Sequence, residues 1–164
     1  MDKRSKMDFV LFENDYKKVV FRFYLKDSYW HSFNPTAPVE DRQLYKTYYY
    51  WRILDLTDNE ILFDSGVDEC SALNELAASC NLLLDGIEVF ETDDISFPLL
   101  DREILSFCGV VYKIHKFREN KYQIEFWNCY SQGYRCIFTI RELRKFTDYL
   151  EAIDYNMKCR AVPI

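Results

Sequence analysis

The stretch VYKIHKFRENKYQIEFW, Val111 to Trp127, alternates apolar and polar residues on both sides of a short turn with a regularity few folds accept. Successive side chains of a strand point to opposite faces, so such a segment needs one buried face and one wet face. With Arg118, Glu119 and Asn120 as a three-residue loop and Asn120 left-handed, Ile114 falls opposite Ile124 and Tyr112 opposite Phe126. Lys113 then faces Glu125 as an opposite-charge pair, and His115 faces Gln123 on the wetter side. A second loop at Ser131, Gln132 and Gly133, with Gly133 left-handed, predicts a third strand that pairs Phe126 with Phe138 and Trp127 with Ile137. That register places Cys129 and Cys136 on opposite faces, which argues against a disulfide or a shared metal between them.

Two further hairpins precede this meander. MDFVLFE and KKVVFRFYLK meet at Asn14 and Asp15, and LYKTYYYWRILDL and EILFD meet at Thr57, Asp58 and Asn59. The period changes in DECSALNELAASCNLLLDG, where Leu73, Leu76, Ala77, Cys80, Leu83 and Leu84 recur at helical spacing. This predicts a helix over 69–84 that Gly86 caps, with IEVFE following as a short strand. SFPLLDREILSFCG reads as a short helix, opened by Pro98 and stopped at Gly109. Thr139 and Glu142 form a capping box for a final helix, whose apolar stripe is Leu143, Phe146, Leu150, Ile153 and Met157.

The expected fold is α+β, a largely antiparallel sheet of about six to seven strands with two main helices on one face. The order strand, loop, strand, helix occurs twice, so one domain over 1–164 would hold two ββα-containing halves, at about 8–86 and 87–157. Aromatic residues make up 18% of the chain, so much of the core must be ring against ring. Four glycines and four prolines, none clustered, leave no linker or low-complexity segment.

The charged N-terminus MDKRSKMDFVLFEND has too short an apolar run for a signal peptide, and no run reaches membrane-spanning length. The six cysteines show no CxxC spacing and read as reduced, mostly buried thiols of a cytosolic, cytoplasmic protein. Gly66, Gly86, Gly109 and Gly133 stand alone, so phosphate- and dinucleotide-binding loops and the GxSxG nucleophile turn are missing. Neither a cofactor nor a metal site is expected, the adjacent acids Asp93 and Asp94 reading as a solvated loop. His31 and His115 alone offer a base near neutral pH. An enzyme or ligand-binding domain would therefore centre on His31, with Asp27 and Asp41 as candidate orienting groups.

Charge is unevenly spread. Residues 55–103 hold fourteen acids against one base, Arg102, while the whole chain has a net charge of −6. Such a block attracts a basic partner and repels nucleic acid. The connector DSYWHSFNPTAP places Tyr29, Trp30, His31 and Phe33 in a long loop, where aromatics serve as binding anchors. The sequence thus predicts a small protein-binding module of inhibitor or immunity type, not an enzyme, that engages a basic, nucleic-acid-binding protein. Its contact residues are Tyr29, Trp30, His31, Phe33, Glu88, Glu91, Asp93 and Asp94. A third reading makes the chain a subunit of an oligomer, with Trp127 and Ile137 marking the interface.

Overall fold

Alternation shapes the first half as the side chains demand. In the computed structural model, which describes residues 6–29, 44–66, 71–91, 103–105, 110–128 and 130–161, β1 (Lys6–Glu13) pairs antiparallel with β2 (Lys18–Tyr29). Phe9 lies opposite Phe21, and a bulge at Leu11 lets both Phe9 and Leu11 pack on the core. The Asn14 carboxamide closes the turn, accepting 2.8 Å bonds from the backbone N–H of Tyr16 and of Lys17. β3 (Leu44–Asp55) extends the sheet from Val19 opposite Asp55 to Tyr29 opposite Leu44, and β4 (Glu60–Asp64) completes it. Asp55 folds the β3–β4 turn by accepting from the N–H of Thr57 at 3.0 Å, and Asn59 takes the left-handed position at φ 54°.

The second half repeats the plan. β5 (Glu103–Leu105), β6 (Val111–Arg118), β7 (Lys121–Trp127) and β8 (Gly133–Thr139) form a second antiparallel sheet in that order. The β6–β7 register is the expected one, with Ile114 opposite Ile124, Lys113 opposite Glu125 and Asn120 at φ 61°. The β7–β8 register departs from expectation by four residues: Phe126 faces Tyr134, Trp127 faces Gly133, and Phe138 faces Tyr122. Ser131, at φ 61°, takes the left-handed position that Gly133 was expected to fill. An even slip preserves the faces, so Cys136 still points into the core and Ile137 outward.

α1 (Ser71–Phe90) follows β4, and α2 (Ile140–Ala161) follows β8. α1 runs on through the buried Gly86, so the expected strand IEVFE is its last turn. Glu91, at φ 54°, ends the helix in the conformation foreseen for glycine. The described part of the expected helix at 96–109 includes β5, a short edge strand on β6. The capping box at α2 is formed: Thr139 N–H donates to Glu142 Oε1 and Glu142 N–H donates to Thr139 Oγ1, each at 3.1 Å.

The strands divide into two four-stranded sheets instead of one sheet of six to seven. β4 and β8 come together at their edges, but side chains make the join. Asn128 Nδ2 donates to the carbonyl of Asp64 and Gln132 Nε2 to that of Leu62, both at 3.0 Å, where a ladder would otherwise supply backbone donors. The inner faces of the two sheets then meet ring to ring. Trp51 stacks on Phe21 at 4.6 Å and on Phe63 at 5.0 Å, and meets Phe126 of the other sheet edge-on at 5.0 Å. Both helices close the same cluster and pack against each other. α2 touches β1 of the first sheet and β7 and β8 of the second, while α1 packs on α2 and β5.

Candidate functional site

The described residues contain only part of the expected contact surface. Tyr29 closes β2 opposite Leu44, so β2 and β3 shorten the aromatic connector to residues 30–43. Trp30, His31, Phe33, Asp41, Asp93 and Asp94 lie outside the described residues, as do Cys70 and Cys129. Asp27 pairs with Thr47 in the ladder. Among the described residues no group of three or more His, Cys, Asp or Glu is placed to hold a metal ion. No helix among them is long and apolar enough to cross a membrane.

Glu88 and Glu91 are placed, and their surroundings are informative. The buried stripe of α1, Leu73, Leu76, Ala77, Cys80, Leu83 and Leu84, turns the opposite face to solvent. That face carries Glu75, Leu82, Asp85, Glu88 and Val89, with Phe90 and Glu91 at its end. Val89 is 74% exposed and Phe90 68%, an unusual pairing of large apolar residues with carboxylates. No lysine or arginine occurs in Ser71–Phe90. On this face Glu88 pairs with Arg144 of α2 at 3.7 Å. The sequence indicates the acids; it does not indicate the exposed Val89 and Phe90, because IEVF reads as strand.

A second ordered surface is the outer face of the second sheet, where the strand pairing sets residues in rows. The first row runs Leu105, Val111, Trp127 and Gly133, and the second Glu103, Lys113, Glu125 and Arg135. The third places His115, Gln123 and Ile137 side by side. The benzo ring of Trp127 lies over Gly133, where a Cβ would come within 2.8 Å of the ring, so glycine is required there for space. The indole N–H donates to Glu125, which also meets His115 Nε2 at 3.0 Å and Arg135 at 3.9 Å. The Trp127 hydrogen bond holds the Glu125 carboxyl below its ordinary range; burial opposes this, and His115 adds to it. Trp127 and Ile137 share this face, as the sequence suggested, although they are not cross-strand partners.

Cys80 and Cys136 are poor nucleophiles. Burial pushes the Cys80 thiol up to about 12, against a smaller effect of the Thr147 hydroxyl, and burial pushes Cys136 higher still. Burial also raises Tyr134 to about 12 and Tyr149 beyond that. Groups raised in the folded state stabilise it fully below their unfolded values, about 8.5 for thiols and 10 for phenols. That stability is lost as pH climbs toward the folded values. The denaturation midpoint is therefore expected to hold steady from pH 7 to about 8.5 and to fall steadily above it. A urea titration at each pH measures this, and a flat midpoint to about pH 11 would contradict it.

Compared with protein families, with curated proteins and with solved structures, the chain finds no match.

Proposed function

We propose that this chain is a small protein-binding module whose α1 face engages a basic protein partner, in the manner of an inhibitor that covers a nucleic-acid-binding surface. The observation that carries this reading is that the end of α1 is built against its own stability. A helix C-terminus bears partial negative charge and favours lysine or arginine, yet Glu88 occupies the last turn and Glu91 follows it. Glu91 also holds a left-handed conformation that disfavours any residue with a Cβ. Local strain and charge retained beside the exposed Val89 and Phe90 are the marks of a contact surface. Tyr29, Trp30, His31 and Phe33, with Asp93 and Asp94, are the proposed second part of that surface.

The test is a double substitution, Glu88→Lys with Glu91→Gly. Removing the unfavourable charge contributes about 0.5 kcal/mol and relieving the backbone about 1 kcal/mol, so Tm is expected to rise by about 3–6 °C. The exposed Arg144 pair that is lost offsets little of this. Affinity capture from the native cell, run at about 50 mM and about 500 mM salt, is expected to recover a basic protein with the parent chain at low salt only. The double variant, more stable, is expected not to recover it. Equal capture by both chains, or capture indifferent to salt, would sink the proposal.

A further inference from the structure

Independently of α1, we infer that the outer face of the second sheet docks a second copy of this chain. The argument lies in the second row. Reading across β5, β6, β7 and β8, Glu103, Lys113, Glu125 and Arg135 alternate in sign, negative, positive, negative, positive. A row of four alternating charges becomes its own complement when its order is reversed. A two-fold axis parallel to the strands, running between β6 and β7, performs that reversal while keeping each row over its own copy. Position 103 then meets the partner's position 135 and Lys113 meets the partner copy's Glu125, each pair opposite in sign and each occurring twice.

The neighbouring rows agree with this placement. The first row sets Val111 against the other copy's Trp127, apolar on apolar, and the third sets His115 against Gln123. Trp127 lies down over Gly133 and so presents a flat surface, which suits two sheets packing about 10 Å apart. The Arg135 side chain is 63% exposed, and Ile137 is exposed at the rim, so both are available to a partner. The axis required here is specific: one perpendicular to the strands would lay the apolar row on the third row and set like charges over one another.

The area sets the strength. Four strands about 4.8 Å apart and three rows about 7 Å apart cover roughly 400 Å² on each copy, about half of a standard interface per partner. The dimer is therefore concentration-dependent, with a dissociation constant on the order of 100 µM. Sedimentation velocity between about 10 µM and about 1 mM is expected to show the parent chain passing from monomer to dimer. Arg135→Glu and Glu103→Arg, each alone, set like charges together and are expected to remain monomeric, a dissociation constant weaker by about tenfold or more. Mixed in equal amounts, the two variants regain opposite charges at both 103–135 contacts and are expected to dimerise as the parent does. That recovery also shows that both variants are folded. A parent chain monomeric at about 1 mM, a single variant that dimerises like the parent, or a mixture of folded variants that stays monomeric would each overturn the inference. Thermal unfolding of the two variants, each expected to give one cooperative transition as the parent does, with Arg135→Glu the less stable for losing its pair with Glu125, supplies the check on folding.

Discussion

Trp51→Ala is expected to cost about 4 kcal/mol, the largest loss of any single truncation among the described residues, measured as a drop in the urea midpoint. Trp51 has no exposed surface and stacks on Phe21 and Phe63 within its own sheet. It also reaches Phe126 at 5.0 Å and Tyr112 at 6.2 Å in the other sheet. Alanine would leave a cavity walled by four rings that belong to two sheets, and stacked rings cannot collapse into it without moving the sheets. Trp51→Phe discriminates between volume and polarity. The buried indole N–H has no hydrogen-bond partner among the described residues, so phenylalanine removes volume and an unmet donor together. Its expected cost is about 1 kcal/mol, and a loss equal to that of alanine would show that ring shape, not filled volume, holds the sheets.

Asn128→Ala is expected to destabilise by about 3 kcal/mol, although it removes a small polar side chain from the end of a strand. The Asn128 carboxamide is nearly buried and bonds on both ends. Its oxygen accepts from the N–H of Tyr130 and of Gln132, and its nitrogen donates to Gln132 Oε1 and to the Asp64 carbonyl, each at 3.0 Å. One residue therefore shapes the β7–β8 turn and fastens it to the edge of β4. Gln132→Ala, which removes a more exposed amide with its bond to the Leu62 carbonyl and its acceptor for Asn128 Nδ2, is expected to cost about 1 kcal/mol. Equal costs would place the join between the sheets elsewhere.

The hairpins were legible wherever one face is apolar over several pairs, because a slip would turn Ile114, Tyr112, Ile124 and Phe126 out into water. The helix start at Thr139 was equally legible, since its signal is local. The β7–β8 register is not legible in the sequence because Gly133 reads as a turn residue on account of its freedom in φ. Its role is to make room for the Trp127 ring, a demand set by a residue on another strand. The end of α1 was missed for the converse reason: Gly86 reads as a stop, yet it is buried, and the left-handed cap falls instead on Glu91. The division into two sheets depends on amide side chains at positions 128 and 132 reaching carbonyls some seventy residues away, which no periodicity reveals. Of the candidate site, acidity was readable from composition. The exposed apolar residues among the acids were not, because strand and helix distribute IEVF differently over their faces.

The way α1 is packed has a consequence for synthesis. Its extensive contacts are with α2 and β5, both made later in the chain than itself. As the chain leaves the ribosome, Leu76, Cys80 and Leu83 emerge before the residues of α2 and β5 that pack on their helix, and the inner rings of the first sheet wait for Phe126 and Phe146. The core can close only after α2 has been delivered, so the nascent first half spends the interval, several seconds at about 5–20 residues per second, as an aggregation-prone intermediate. Its concentrated negative charge keeps such chains apart during that interval.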